Sequence, residues 1–394
     1  MYYLKFFSPF ANSSPFYPNS TLSSAPSQAR TAHIGRPTAS HRHPNPHQTP
    51  LMATSASALI RPRLPISPPM PARASPATTM TRRRTRPLRA ACAYALQEGQ
   101  SRRSHRLPCG LDLEVIAQHP PAPAPTPGRS ERPPLVFVHG SFHAAWCWAE
   151  RWLPFFSRAG FPCFALSLRA QGESSIPSEA VAGTLETHTG DIADFIRKEV
   201  PSPPILIGHS FGGLIVQQYI SCLHDSEPLH PKLSGAILVC SVPPSGNSGL
   251  VWRYLLTKPI AAVKVTLSLA AKAYAKSLPL CKETFFSSQM DDELVLRYQD
   301  LMKESSKLPL FDLRKLNAAL PVPSATNGTL EVLVMGARND FIVDAEGLSE
   351  TARFYNVQPV CVEGVAHDMM LDYSWEKGAE IILSWLDELA TRSV

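Results

Sequence analysis

The chain has 394 residues, 44% of them hydrophobic, and a formal net charge of +6. This length allows two or three domains, or a single α/β domain with an insertion. Its eight cysteines include no Cys-x-x-Cys pair, which argues against a zinc site or a disulfide framework and favours free thiols in a reducing compartment.

The positive charge is concentrated in residues 1–97. This segment has no Asp or Glu and carries twelve positive charges, from Lys5 and eleven arginines. From residue 98 onward, the other 26 of the 38 Lys and Arg face all 32 acidic residues, so the rest of the chain has a net charge of −6. We therefore expect residues 1–97 to form a disordered basic leader, and we expect no nucleic-acid partner.

The leader has the composition of an organelle transit peptide. Met52-Ala53-Thr54-Ser55 resembles the start of a chloroplast transit peptide, and Leu88-Arg89-Ala90-Ala91-Cys92 resembles its processing region. We predict a chloroplast location, with a mitochondrial one as the alternative, and Met52 as a possible true start. The chain has no apolar stretch of about 18 residues or more, so no membrane-spanning helix is expected.

Residues 98–243 predict the first part of an α/β core. An alternating segment at 111–116 indicates an edge strand, and the proline-rich residues 120–134 indicate an exposed loop. Buried strands and helices then alternate, which favours a doubly wound, mostly parallel sheet with helices on both faces. The predicted strands are 134–138, 161–168, 204–209 and 234–240, and the predicted helices are 146–158, 184–200 and one that begins after Ser210.

The alternation stops at residue 244. Residues 244–329 contain helical patterns, such as 261–277 and 291–304, and no convincing strand. Because ligands bind at the carboxyl ends of the strands in such sheets, we expect this segment to be a helical lid inserted before the last two strands. Residues 330–394 complete the core, with strands at 330–335 and 357–362 and helices near 345 and at 375–389.

The turn between the strand at 204–209 and the following helix carries the sequence Gly208-His209-Ser210-Phe211-Gly212. A Gly-x-Ser-x-Gly turn exposes the serine hydroxyl on a strained corner. A side chain at either glycine would collide with the adjoining strand or helix. We predict that Ser210 is a nucleophile.

A serine hydroxyl needs a base, and the base needs a carboxylate to hold it. Asp340 and His367 each follow a predicted strand, in the order Ser210, Asp340, His367, so all three loops open on one edge of the sheet. His367 is the one histidine after residue 230. We predict that these three residues form a catalytic triad.

Other carboxylates near the triad have structural interpretations. Asp344 is better placed than Asp340 to cap the helix that follows. Asp368 and Asp372 lie near His367, and we expect them to cap or solvate the final helix.

An acyl-transfer site also needs hydrogen-bond donors for the oxyanion. The amide of Phe211 is one candidate, and the amide of Ser141, which follows His139-Gly140, is the other. We expect His139 and His143 to brace this turn, and we assign no chemical role to His209.

His139-Gly140, Gly208-x-Ser210-x-Gly212, Asp340 and His367 stand in an order that resembles the α/β-hydrolase fold family, over about residues 107–390. Within it, His139-Gly140-Ser141-x-His143-x-x-Trp146-x-Trp148 resembles the branch of plant methylesterases and hydroxynitrile lyases, and the chain is also similar to plastid-targeted plant hydrolases. Many members have Asp-x-Arg-Gly-x-Gly after the second core strand, where this chain has residues 167–172, Ser-Leu-Arg-Ala-Gln-Gly.

The residues favour a serine hydrolase that cleaves an ester or thioester of a small, largely apolar molecule through an acyl-enzyme. Phe142, Met369 and Met370 are the candidate pocket residues, and no metal or cofactor is expected. Two alternatives are a lyase of the hydroxynitrile type and a hormone-receptor-like binding protein with little or no turnover. The residues leave the oligomeric state open.

Overall fold

The computed structural model describes residues 94–121, 132–224, 229–257, 259–324 and 330–392. Eight strands form one sheet in the order β1-β2-β4-β3-β5-β6-β7-β8. The first two pairings in this order, β1 with β2 and β2 with β4, are antiparallel, and all the others are parallel. The strands are β1 Gln100–Arg106, β2 Asp112–Gln118, β3 Leu135–Val138, β4 Cys163–Leu166, β5 Ile205–His209, β6 Gly235–Val239, β7 Val332–Ala337 and β8 Val360–Val362.

Eleven α-helices lie in the described residues, and several begin with a side-chain cap. Thr184 caps α3, Asp291 caps α8 and Asp344 caps α10. The helices are α1 Trp146–Ala149, α2 Trp152–Arg158, α3 Leu185–Glu199, α4 Phe211–Ser221, α5 Ser248–Thr257, α6 Pro259–Ala270, α7 Leu278–Phe285, α8 Asp292–Ser305, α9 Leu313–Ala319, α10 Ala345–Phe354 and α11 Trp375–Arg392.

The central strands are buried on both faces, which explains their unbroken apolar sequences. Alternate residues of β3 belong to two different cores, because successive side chains point to opposite faces of a strand. Phe137 packs with α1, α2 and α11, whereas Val136 and Val138 pack with α3, α4 and α10. The prediction of a doubly wound sheet is confirmed.

The predicted edge strand at 111–116 is wrong in its position. It corresponds to β2, which is buried along almost its whole length and lies between β1 and β4. The edge strand on this side of the sheet is β1. Its sequence, Gln-Ser-Arg-Arg-Ser-His-Arg, has no alternation of apolar residues that would predict a strand. An edge strand needs only one paired side, so polar residues are tolerated there.

Two further boundaries differ from the prediction. The helix predicted at 146–158 is two helices, α1 and α2, with a break at Arg151, whose φ and ψ of −134° and −50° are not helical. Residues 94–97, which the prediction placed in the leader, contact the core. Tyr94 is buried, and the side-chain amide of Gln97 donates to the carbonyl oxygens of Ala149 and Glu150. Residues 1–93 and most of the predicted proline-rich loop lie outside the described residues.

The segment 244–329 separates β6 from β7 and is here called the insert. Its described residues contain α5 to α9 and no strand. The insert contacts loops that follow the strands: Ser287 donates to Asp372, and the ring of Tyr274 lies 4.9 Å from that of Phe142. The described helices include none with the length and apolar character needed to cross a bilayer.

Candidate active site

The three predicted triad residues lie in loops at the carboxyl edge of the parallel strands. Ser210 follows β5, Asp340 follows β7 and His367 follows β8. Because β5 to β8 are consecutive neighbours and run in the same direction, these loops open on the same edge.

Ser210 has a backbone conformation that non-glycine residues rarely adopt, with φ 54° and ψ −121°. The surrounding structure maintains this strained turn: the Ser210 amide donates to Val239 O at 3.1 Å, and the Ser210 carbonyl accepts from Gly213 and Val242. A Cβ on Gly208 would lie 2.5 Å from the Gly212 carbonyl oxygen, and one on Gly212 would collide with the Val138 carbonyl. The predicted need for glycine at both positions is confirmed.

His367 is joined to Asp340. Its Nδ1 lies 3.0 and 2.9 Å from the two carboxylate oxygens, and the imidazole N–H donates to them. Asp340 also accepts from the amides of Ile342 and Val343 at 2.7 and 2.8 Å, so its carboxylate is held on both sides. The other ring nitrogen of His367 is therefore left as the proton acceptor.

The pKa of His367 is raised above its ordinary value of 6.5. Burial by itself lowers the pKa, but the negative charge and hydrogen bond of Asp340 outweigh it, with a further contribution from Asp368. A base with a raised pKa takes a proton more readily and passes it on in a later step.

Ser210 Oγ and His367 Nε2 have no hydrogen-bond partner among the described residues, yet neither atom is fully buried. The structure thus brings the His367–Asp340 pair into contact and leaves the Ser210 hydroxyl without a protein partner. His209 links the two loops, since its Nε2–H donates to the His367 carbonyl oxygen at 2.9 Å.

The turn after β3 contacts the serine directly. A Cβ on Gly140 would lie 2.7 Å from Ser210 Cβ and 3.1 Å from the His209 carbonyl oxygen, so a side chain here would push the turn away. Phe142 has φ 70°, which reverses the chain just after Ser141. The amide of Phe211 is the first of α4, and such amides have no partner within their own helix.

Two histidines brace this turn, as predicted. His139 accepts from the Leu168 amide at Nε2 over 2.9 Å, so its proton is on Nδ1, which donates to the Gly140 carbonyl at 2.7 Å. Burial lowers the pKa of His139 to about 3, so it remains neutral. His143 donates from Nδ1 to the Ser141 carbonyl at 2.8 Å.

The prediction that Asp368 and Asp372 cap or solvate the final helix is wrong. Asp368 is fully buried and receives the Nε2–H of His143 at 2.9 Å. Asp372 is also buried and accepts from the amide and hydroxyl of Ser287 in the insert and from the Ala366 amide. Both carboxylates join separate segments around His367.

Burial by itself raises the pKa of Asp368, but His143 outweighs this effect, and the pKa is lowered from its ordinary value of 3.8. Asp368 is therefore a carboxylate. Both ring nitrogens of His143 are occupied, one by the Ser141 carbonyl and one by this carboxylate, so Asp368 and His143 form a buried hydrogen-bonded pair.

The predicted pocket residues have different surroundings. The ring of Phe142 contacts Tyr274 and Phe285 of the insert, with ring centroids 4.9 and 6.5 Å apart. Met369 is a core residue whose sulfur packs on Gly378 of α11. Met370 is likewise fully buried in this core.

A cavity of about 180 Å³ lies behind Asp340. It is bordered by the ends of β6 to β8, by α10 and by Tyr254 of α5. Ser210 and the three predicted pocket residues are not part of its wall.

Two side-chain groups have donor atoms within 4.8 Å of one another, which is close enough for a metal ion: His209, His367 and Asp368, and Cys240, Asp340 and His367. In both groups, the existing hydrogen bonds of His367 and Asp340 compete for the donor atoms. Burial, assisted by Asp340, raises the pKa of the Cys240 thiol well above its usual range, which opposes the thiolate form that metals bind. The donors fit a proton-transfer pair better than a cation site.

The residues missed by the sequence analysis are Gly140, as a contact of the serine, and Asp368, as the partner of His143. The sequence signal for Asp368 is its position directly after His367. The signal for its partner is that His143 belongs to the motif after β3. His143 and Asp368 are 225 positions apart in the sequence, so only the folded structure reveals that they are partners.

Comparisons with known proteins agree with this architecture. The sequence profile described as "Alpha/beta hydrolase family" matches residues 135–380, which is more than half of the chain. An esterase (EaEST) structure from Exiguobacterium antarcticum superposes with a TM-score of 0.53, at 19% identity, over 72% of this chain and 98% of that one. At this identity the superposition shows the fold alone.

Curated relatives match shorter stretches. "Protein phosphatase methylesterase 1" of Homo sapiens is 36% identical over 113 residues, which are 28% of this chain and 28% of that protein. "Probable esterase PIR7A" of Oryza sativa subsp. japonica is 38% identical over 114 residues, 29% of this chain and 40% of that protein. The chain thus spans less than half of either relative. The profile match and the eight-stranded sheet establish that this chain belongs to the alpha/beta hydrolase family.

Proposed function

We propose that the chain is a serine hydrolase that cleaves a carboxylic ester or thioester through an acyl-enzyme at Ser210. The observation that carries the proposal is the strained turn at Ser210 on the same sheet edge as the His367–Asp340 pair, with His367 Nε2 free to accept a proton. The names of the two curated relatives, a methylesterase and a probable esterase, support the same reaction class.

In the proposed mechanism, His367 Nε2 takes the proton of Ser210 Oγ as the oxygen attacks the ester carbonyl. The amides of Ser141 and Phe211 donate to the oxyanion that forms. His367 then gives its proton to the departing alcohol or thiol, which leaves an ester bond between the acyl group and Ser210. His367 then takes a proton from a water molecule as the water oxygen attacks the acyl carbon, and it returns this proton to Ser210 Oγ as the bond to Ser210 breaks and the acid is released.

Apolar surroundings support a small, largely apolar substrate. Phe142, which adjoins the proposed oxyanion donor Ser141, packs against the rings of Tyr274 and Phe285 in the insert. Because of these ring contacts, the insert lies beside the turn that carries Ser141. In our proposal, the insert forms the wall that selects the acyl or alcohol group.

The test is labelling of the full chain by a fluorophosphonate, with the modified residue located by mass spectrometry. We expect labelling at Ser210 and its loss in Ser210→Ala, whose kcat on p-nitrophenyl esters should fall by about 10⁵-fold or more. Ser221→Ala is the matched control, since Ser221 lies at the end of the same helix with its hydroxyl bonded to the Gln218 carbonyl.

Two results would contradict the proposal. Absence of both labelling and hydrolysis across ester chain lengths would favour a binding protein. Cleavage of a cyanohydrin to cyanide and a carbonyl compound, without ester turnover, would favour the lyase alternative.

The predicted leader gives a separate proposal, a chloroplast location. A fluorescent protein fused behind residues 52–97 should enter plastids. Accumulation in mitochondria would support the alternative address, and accumulation in the cytosol would contradict both.

A further inference from the structure

The outer surface of the insert exposes several aliphatic side chains on helices α5 and α6. Helix α6 exposes Ile260, Val263 and Leu267, which are 76%, 55% and 51% exposed. Their spacing places them on one face of the helix, and Leu256, 80% exposed, stands in the last turn of α5. We call these four residues the aliphatic surface.

The other face of α6 explains why this surface is not needed for folding. Ala262 and Ser268 are buried, and the hydroxyl of Ser268 is hydrogen-bonded to that of Thr284 in α7 at 2.7 Å. Helix α6 is therefore attached to the core by its inner face, while its outer face presents three aliphatic side chains to the exterior. Contiguous exposed aliphatic groups of this kind indicate an interaction site.

The charges around the aliphatic surface favour an anionic partner. Residues 228–282 contain no Asp or Glu, whereas they contain seven Lys and Arg. Arg253, Lys264 and Lys282 are paired with carboxylates, and the ammonium of Lys272 lies 5.8 Å from the centroid of the Phe142 ring. Lys232 and Lys276 are exposed and have no carboxylate within ion-pair distance among the described residues. This contrasts with the net charge of −6 for residues 98–394 as a whole.

We propose that the aliphatic surface docks the protein on a bilayer that contains anionic phospholipids. Aliphatic side chains enter the acyl boundary, and the lysines around them meet the headgroup charges. A second copy of the chain fits less well, because a two-fold contact would bring the same basic faces together. The proposal is independent of the ester hydrolysis proposed above and is tested by binding.

The experiment uses the full chain and vesicles of phosphatidylcholine with or without phosphatidylglycerol. Flotation is measured at about 0.1 M and at about 0.5 M salt, because the higher salt screens the attraction of both the basic leader and the lysines of the insert while leaving aliphatic insertion intact. We expect binding to the anionic vesicles, and a drop of about tenfold or more in the partition coefficient of Ile260→Ser/Leu267→Ser.

The matched control is Ile176→Ser/Leu296→Ser. These side chains are 54% and 48% exposed, but they lie outside the insert's basic region, and Leu296 shares α8 with Asp292, Glu293 and Asp300. We expect this variant to bind like the wild type. Backbone hydrogen exchange should slow in α5 and α6 when vesicles are added, which places the contact.

Three results would overturn the proposal. One is equal binding by the wild type and Ile260→Ser/Leu267→Ser, and another is no vesicle binding by the wild type at either lipid composition. The third is a dimer in sedimentation velocity that Ile260→Ser/Leu267→Ser dissociates, since a second copy would then cover the surface. Unchanged melting temperature in both double variants confirms that they are folded.

Discussion

Two histidine–aspartate pairs lie side by side at the carboxyl edge of the sheet. In the first, Asp340 accepts from Nδ1 of His367, at 2.9 Å. In the second, Asp368 accepts from Nε2 of His143, also at 2.9 Å. Both histidines and the Asp368 carboxylate are almost fully buried, as is the side chain of Asp340.

The pairs differ in what the second ring nitrogen does. Nδ1 of His143 is bonded to the Ser141 carbonyl and Nε2 to Asp368, so both ring nitrogens of His143 already have protein partners. Nε2 of His367 has no partner among the described residues, so it is open to accept a proton. The first pair is therefore the proposed base, the second is a brace for the turn after β3, and the difference between them is one backbone carbonyl.

The strongest test of this comparison is Asp340→Asn against Asp368→Asn. Without the Asp340 carboxylate, His367 loses the partner that fixes its proton on Nδ1, so kcat on p-nitrophenyl esters should fall by about 10⁴-fold. Asp368→Asn should reduce kcat by about tenfold or less, since Asp368 only holds His143. Equal losses in the two variants, measured on folded protein, would remove the distinction between base and brace.

The His143–Asp368 pair holds the turn after β3 that carries Ser141, the proposed oxyanion donor. Gly140→Ala tests that turn directly. The new Cβ would stand 2.7 Å from Ser210 Cβ, so the turn must shift and carry the Ser141 amide with it. We expect kcat to fall by about 10²-fold, with KM changed little. Gly190→Ala is the control, because a Cβ there meets nothing within 4 Å. Wild-type kcat in Gly140→Ala would mean that the turn supplies no oxyanion donor.

The sequence predicted the fold and the sheet edge that carries the proposed base, because both depend on local signals. Ser210, Asp340 and His367 each follow an apolar strand, and parallel strands necessarily bring such loops to one edge. The brace could not be predicted in this way. Asp368 looks like a polar residue at a helix start until the fold places His143 beside it, and β1 was missed because an edge strand needs no apolar pattern.

The brace should affect stability more than it affects chemistry. Asp368→Asn removes a buried carboxylate that is bonded to His143, which should lower the free energy of unfolding by about 3–5 kcal/mol at neutral pH. The pKa of Asp368 is lowered in the fold, so its contribution is complete above its ordinary pKa of 3.8 and is lost as the pH falls through the lower folded value.

Urea unfolding of Asp368→Asn, His143→Gln and the double variant measures this pair. We expect the double variant to lose less than the sum of the single losses, because the two residues interact directly. Additive losses would show that the pair contributes little beyond the packing of its members.

The smallest expected effect is a shift in the pH profile. A protonated His367 cannot accept the serine proton, so kcat/KM should fall as the pH drops through the pKa of His367, which lies above the ordinary 6.5. Burial alone would lower this pKa, and Asp340 is the main group that raises it. The residual activity of Asp340→Asn should therefore persist to lower pH than that of the wild type.

Asp344→Asn is the control, since Asp344 caps α10 and pairs with Arg253 instead of His367, and its profile should match the wild type. A wild-type acid limb below pH 6.5 would show that burial outweighs Asp340, and His367 would then be held like the neutral His139 rather than poised as the base.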